Sequence, residues 1–168
     1  MRYIGCLLMV LAGAGMGLYA GHRLRRQCVY IRQTARVLQV LERQLAYTAR
    51  PMSDLWRQLA LSEAYADCAL LQDTAAALAD RPFAVAFTAA VERAQTAGWL
   101  TPVGYSLLQE FGEGCGRYDL TRQTEHIHQY RRQLEDLAAA LEGGAAVKGR
   151  LYRTAGWAGG LALALLLL

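Results

Sequence analysis

T-A-R-V-L-Q-V-L-E-R-Q-L-A-Y-T-A-R-P-M-S-D-L, residues 34–55, contains most of one amphipathic helix together with its end. Its apolar residues recur every three or four positions, the spacing of one face of an α-helix. They are Val37, Leu38, Leu41 and Leu45. Arginines 32, 36 and 43 fall away from that stripe, and Pro51 stops the helix because proline is not tolerated in a helix interior. We predict a helix from about Arg25 to Tyr47 with one buried face.

The sequence that follows divides at chemically clear breaks into five more helical segments. Ser53 and Asp54 are the expected cap of a short second helix, and a third covers about residues 65–78. A fourth carries Phe83, Phe87, Val91 and Ala94 and ends at Gly98. Thr101-Pro102 opens a fifth, with proline at the first helical position. The sixth has the most regular apolar spacing: Leu120, Ile127, Tyr130, Leu134, Leu137 and Leu141. The fold class predicted is all-α, a six-helix bundle over residues 22–150.

The chain starts with an apolar segment. From Tyr3 to Gly21 no charged residue occurs over nineteen positions, which as a helix extend about 28 Å. Residues 1–21 are therefore predicted to be a transmembrane helix, and the G-x-x-x-G spacing of Gly13 and Gly17 allows close packing of another helix. The alternative is a cleaved signal peptide, but the basic cluster at residues 22–26 favours retention.

Residues 151–168 form a second apolar segment. Fifteen residues follow Arg153, about 22 Å of helix, so a transmembrane helix and a shallower inserted helix are both open. Basic residues flank each apolar segment on its inner side, which is the cytoplasmic side by the positive-inside rule. Residues 22–150 are therefore expected to form a cytoplasmic domain held at both ends.

The net charge of +4 is unevenly distributed along the chain. Residues 23–50 carry seven arginines and one acid, Glu42, whereas residues 54–142 carry thirteen acids and seven arginines. Basic flanks around an acidic middle suit a lipid bilayer better than a nucleic acid. We expect no nucleic-acid partner.

The residue types that perform catalysis are scattered. Cys6, Cys28, Cys68 and Cys115 stand singly, as reduced structural cysteines do. His126 and His128 are two apart, about 200° round a helix, and do not share a metal. The glycines at 112, 114 and 116 follow a helix and lack the G-K-[ST] of a phosphate loop. We predict no catalytic residue, no cofactor and no metal site.

Three blocks carry a resemblance to a known family. They are residues 34–55, the stretch L-L-Q-E-F-G-E-G-C-G-R-Y-D from Leu107, and Y-R-T-A-G-W-A-G-G-L from Tyr152. In this order and spacing the chain resembles stage III sporulation protein AB. The F-G-E-x-x-G-x-x-D block at Phe111 to Asp119 also resembles the cytoplasmic F-type domain of type II secretion and type IV pilus platform proteins, a six-helix bundle.

The resemblance implies a function and partners. It implies a non-enzymatic platform in the sporulation channel apparatus of the mother-cell membrane around the forespore, working with other stage III proteins, including a secretion-type ATPase. A homo-oligomer is compatible with it. The matching residues of the first block are Leu41, Glu42, Tyr47 and Pro51, and those of the second are Phe111, Gly112, Glu113, Gly116 and Asp119. Gly112 and Gly116 are expected turn glycines and Asp119 a cap, and Glu113 is the candidate partner contact.

A different class of function is a membrane-bound enzyme or a small transporter. Either needs polar groups inside the apolar segments or a carboxylate cluster in the bundle. The segments at residues 3–21 and 154–168 contain no charged residue. The platform hypothesis is the better supported one.

Overall fold

The computed structural model describes residues 2–48, 50–115 and 122–144, and for residues 2–21 it describes the backbone alone. Every regular element in these ranges is helical, and no strand occurs among them. The helices are α1 (Arg2–Tyr47), α2 (Met52–Ala60), a 3₁₀ turn (Glu63–Tyr65), α3 (Ala69–Ala77), α4 (Phe83–Thr96), α5 (Pro102–Gly114) and α6 (residues 122–144). The prediction of an all-helical chain with six helices is confirmed for the described residues.

Contacts divide the chain into two units. One comprises residues 1–26 and 140–168, and the other comprises residues 27–139. Helix α1 belongs to both, because it is one helix of 46 residues where the sequence predicted separate helices before residue 22 and from Arg25. No proline interrupts residues 2–47, so nothing in the local sequence forces a break there. The predicted domain boundaries at residues 21 and 151 stay predictions.

The two predicted membrane segments fall largely outside the residues whose side chains the structure describes. Among the residues whose side chains are described, no helix combines the length and the apolar character needed to span a membrane. The predicted segment at 1–21 is helical in its backbone from Arg2 onward, and the predicted segment at 151–168 lies outside the described residues.

The C-terminus of α4 and the N-terminus of α5 are both set by local capping interactions. Gly98 has a φ of 74°, its N–H donates to the Gln95 carbonyl at 2.9 Å, and the Trp99 N–H donates to Ala94 at 3.0 Å. These two bonds form a Schellman motif, which ends a helix at a glycine with positive φ. Thr101 caps α5 by accepting a hydrogen bond from the Gly104 N–H at 3.1 Å, with Pro102 at the first helical position. Both predicted boundaries are confirmed.

Two other boundaries differ from prediction. Helix α2 begins at Met52, and Pro51 occupies its N-cap without a side-chain hydrogen bond. Ser53 and Asp54 are therefore inside the first turn, where the Asp54 carboxylate interacts favourably with the helix dipole instead of capping the helix. The third segment is split, because a 3₁₀ turn at Glu63–Tyr65 precedes α3, which starts only at Ala69.

The core of the second unit consists of the apolar stripes of its helices. The predicted stripe of α1 is buried throughout, with Val37, Leu38 and Leu41 at most 1% exposed. Ile127 and Leu134 of α6 are fully buried, whereas Tyr130 and Leu137 are half-buried. Removing such side chains from water is the main stabilising contribution, at about 25 cal/mol per Å² of apolar surface.

Candidate partner-binding surface

A row of aromatic side chains crosses the bundle and fixes the position of α5. Its centre is Phe87 of α4, which is fully buried. The Phe87 ring lies 5.6 Å from that of Trp56 on α2 and 5.3 Å from that of Phe111 on α5, both edge-to-face. Phe111 in turn contacts the rings of His126 and Tyr130 on α6. Edge-to-face pairs add about 0.5–1.5 kcal/mol each beyond the area that they bury. The row therefore holds four helices together.

Phe111 anchors α5 at its C-terminal end. The sequence places Phe111 near the end of the fifth helix and groups it with the turn and capping residues of its block; it lies inside α5 and is fully buried. Its carbonyl accepts from the Cys115 N–H at 3.1 Å and lies 3.4 Å from Nε2 of His126. Because ring and backbone are both held, the residues of the same helical turn have defined positions.

Gly112 is also part of α5 and not of a turn. Its φ is not positive, since Gly98 is the one glycine with positive φ in the described residues. A Cβ atom added at Gly112 would lie 2.7 Å from Cδ1 of Phe87, which is closer than carbon atoms approach each other. The glycine is needed because α4 and α5 pack closely there. This finding corrects the prediction of a turn glycine.

Glu113 is exposed in the last turn of α5. Three residues earlier on the same helix face, Glu110 is exposed and accepts a hydrogen bond from the Tyr130 hydroxyl at 3.2 Å. The Glu113 carboxylate makes no hydrogen bond or ion pair with a described residue. A negative charge at a helix C-terminus is unfavourable by about 0.3–1 kcal/mol, and no basic residue lies in this last turn. Glu113 therefore does not stabilise its own helix, and it is available to a partner.

The two remaining predicted residues of this block, Gly116 and Asp119, lie outside the described residues. Their expected roles as turn glycine and cap stay predictions.

The first block places one residue in a polar network between α1 and α6. Nδ1 of His128 lies 2.8 Å from Oε1 of Glu42, and Nε of Arg131 lies 2.8 Å from Oε2. Since a carboxylate only accepts, the His128 ring nitrogen is the donor. Arg131 also donates to Glu135 at 2.6 Å, one helical turn along α6. We call Glu42, His128, Arg131 and Glu135 the interhelical network.

The network keeps Glu42 ionised. Its side chain is 22% exposed. Burial raises the pKa of Glu42, but the hydrogen bonds from His128 and Arg131 and the guanidinium charge outweigh it, so the pKa lies below its usual value. For Arg131 the signs are reversed. Burial lowers the pKa of its guanidinium group, but the hydrogen bonds to Glu135 and Glu42 have the larger effect, so the pKa lies above its usual value. Both groups carry full charge at neutral pH.

Replacing Glu42 with glutamine is expected to destabilise the protein at neutral pH by about 1 kcal/mol, because an ion pair with hydrogen bonds is lost. The stabilisation from a depressed carboxyl pKa is fully present above the unfolded-state value of 4.5 and is lost as the pH falls through the lower folded-state value. The difference between wild type and E42Q therefore shrinks on acidification below pH 4.5. Urea unfolding of both proteins at several pH values measures it.

Glu135→Gln is the matched control, since it removes only a more exposed i,i+4 pair with Arg131, worth about 0.3–0.5 kcal/mol. A constant difference between wild type and E42Q across the acid range would contradict the assignment.

The other residues of the first block have different environments. Leu41 is fully buried in the core. Tyr47 is 89% exposed at the end of α1, and Pro51 is exposed before α2. The block therefore combines one core residue, one network residue and two surface residues.

The sequence did not indicate that His128 and Arg131 are partners of Glu42. It also did not indicate that Gln27 links two parts of the fold by hydrogen bonds. Gln27 Nε2 donates to the carbonyls of Gly98 and Leu100, both at 3.2 Å, and so joins α1 to the connection between α4 and α5. The i,i+4 spacing of Arg131 and Glu135 was a usable signal. The other contacts join residues at least 71 positions apart and leave no local pattern.

The described cysteines are buried. Burial raises the pKa of the Cys115 thiol to about 12 and also raises that of Cys68, so neither is a thiolate at neutral pH. Within residues 22–48, 50–115 and 122–144, no cluster of three or more His, Cys, Asp or Glu side chains has a geometry able to hold a metal ion.

The described residues thus form an all-helical bundle with an acidic helix end on its surface. The family model described as Stage III sporulation protein AB (spore_III_AB) matches residues 2–168. The chain belongs to this family of sporulation proteins, which is not a known enzyme family.

A solved structure has the same fold. It is described as "Stage III sporulation protein AB (SpoIIIAB)", with a TM-score of 0.60 and 24% sequence identity over 72% of this chain and 97% of that chain. No curated protein matches the sequence.

Proposed function

We propose that the protein is a non-enzymatic membrane platform of the sporulation channel apparatus, which couples membrane partners to a secretion-type ATPase between mother cell and forespore. Membership of the stage III sporulation protein AB family supports a role in sporulation. The observation that carries the platform role is Glu113, an exposed carboxylate at an electrostatically unfavourable position on a helix fixed by Phe111. A charge that costs its own helix stability is explained by a gain on binding.

The membrane part of the proposal rests on the sequence of the two ends. The uncharged stretch Tyr3–Gly21 leads directly into basic residues, and Arg150 and Arg153 lie next to the C-terminal apolar segment. Carbonate washing of sporulating-cell membranes is expected to leave the chain in the pellet, and protease added to sealed cells is expected to leave residues 22–150 intact. Release by carbonate would refute membrane anchoring.

Replacing Glu113 with arginine is expected to block forespore gene expression late in engulfment and to lower spore yield at least about tenfold. The reason is that the wild-type carboxylate attracts a basic partner surface, whereas the arginine that replaces it repels that surface. Heat-resistant spore counts and a forespore reporter measure the effect, with immunoblotting to verify normal protein levels.

The matched control is Glu92→Arg, an exposed acid on α4 with the same charge change. It is expected to sporulate normally. Crosslinking with mass spectrometry in sporulating membranes then tests the partner: wild type and E92R are expected to crosslink to the ATPase near α5, and E113R is not. Normal sporulation of E113R, or of a stable deletion strain, would refute the proposal.

A further inference from the structure

The outer face of α1 carries a line of exposed arginines. Arg32, Arg36 and Arg43 are all exposed, as are Val29 at 47% and Tyr47 at 89%. We call these five residues the arginine face. At 100° per residue they fall within an arc of about 60°, and they extend about 27 Å along the helix. The opposite side of α1 is the buried stripe of the core.

The arginine face has the spacing of a helix-packing seam. Successive members are separated by three, four, seven and four residues, the repeat by which one helix contacts another along its length. Val40, half-buried, fills the gap of seven at the same repeat. A second helix with the same periodicity would meet a line of guanidinium groups interrupted by apolar side chains.

The charge of this face determines what kind of helix fits. No acid occurs at any of its positions, and the guanidinium groups of Arg36 and Arg43 pair with no acid of the described residues. Planar guanidinium groups bind carboxylates in a bidentate fashion. A helix with glutamates or aspartates facing the arginines, and apolar residues facing Val29 and Tyr47, is complementary in both charge and spacing.

A membrane surface and a nucleic acid fit the arginine face less well than an acidic helix does. A helix that binds a membrane surface inserts an apolar face among the lipids, but the apolar side of α1 is buried in the core. Nucleic acid is a long polyanion, and the segment from Asp54 to Glu142 has thirteen acids against seven arginines, which repel it. A protein helix makes a shorter and more selective contact.

We infer that the arginine face of α1 is a docking seam for an acidic amphipathic helix of a partner protein. This inference does not depend on the role of Glu113, because that carboxylate attracts a basic partner surface and the arginine face attracts an acidic one. The role of Glu113 is tested by sporulation and crosslinking, and the role of the arginine face is tested by peptide binding.

The test measures binding to the full-length chain, purified in detergent, by fluorescence anisotropy. The main probe is a labelled helical peptide of about four heptads with glutamates and leucines in the three–four repeat. Its glutamine version, a short duplex DNA and vesicles containing phosphatidylglycerol are the comparison probes. The glutamate peptide is expected to bind wild type more tightly than the three comparison probes, and its binding is expected to weaken as salt is added.

The deciding variant is R36E/R43E, which is expected to bind the glutamate peptide at least about tenfold more weakly. The matched control R81E/R93E makes the same charge change at exposed positions before and on α4, and it is expected to retain the affinity of wild type. Circular dichroism verifies that both variants fold. Equal losses in the two double variants, no binding of the glutamate peptide, or tighter binding of DNA or vesicles through the arginine face would overturn the inference.

Discussion

Replacing Phe87 with alanine is expected to lower the free energy of unfolding by about 3–5 kcal/mol. Phe87 is fully buried, and its ring contacts those of Trp56, Phe83 and Phe111 at centroid distances of 5.3–5.7 Å. The substitution removes a large apolar side chain, leaves a cavity between three helices and eliminates three aromatic pairs. Guanidinium unfolding followed by circular dichroism and tryptophan fluorescence measures the loss.

Val85→Ala is the control for Phe87→Ala. Val85 lies two residues earlier on α4 and is 51% exposed, so its truncation is expected to change stability by no more than about 0.5 kcal/mol. A loss below about 1 kcal/mol for F87A would mean that the aromatic row does not hold the bundle together.

The same row connects stability to the candidate site. Phe111 is joined to Phe87 on one side and to α6 on the other, so F87A is expected to loosen α5 as well as α4. Glu113 lies two residues after Phe111 on the same helix. A partially active F87A protein should therefore show weakened partner binding before it unfolds globally, because the position of the Glu113 carboxylate depends on the packing of α5.

Local rules explain which parts of the fold were predictable. The stripe of Val37, Leu38 and Leu41, and the Thr101 cap, follow from spacing and residue chemistry within a few positions. The network of Glu42 with His128 and Arg131 does not, because its members are 86 and 89 residues apart and meet only after α1 and α6 pack together. Sequence identified Glu42 as a family match but gave no reason for its charge.

The candidate site was predictable in position but not in geometry. Glu113 was identified through its block, yet the glycines around it suggested a turn, and α5 continues to Gly114. Glycine serves two purposes, unusual backbone angles and close approach of helices, and a single sequence does not distinguish them. At Gly98 the reason is a φ of 74°, and at Gly112 it is the Phe87 ring.

Because close packing, and not backbone conformation, requires glycine at position 112, we expect Gly112→Ala to lower the stability of the protein. In an unobstructed helix, alanine is more stable than glycine by about 0.8–1 kcal/mol. At Gly112 the new methyl group lies 2.7 Å from Cδ1 of Phe87, a ring that cannot move because Trp56 and Phe111 pack on it. Overpacking of this kind costs about 1–3 kcal/mol, so G112A is expected to be clearly destabilised in thermal and guanidinium unfolding.

Two further variants separate close packing from backbone conformation as the reason for Gly112. Gly143→Ala, at a helical position where a Cβ meets no atom within 4 Å, is expected to be neutral or slightly stabilising. Phe87→Leu removes part of the ring that obstructs residue 112, so G112A in the F87L background is expected to cost less than G112A alone, giving a favourable coupling energy of about 1 kcal/mol. Full additivity of the two substitutions would show that Phe87 is not what requires glycine there. Coupling would establish Gly112 as a packing residue that faces the core, directly before the exposed Glu113.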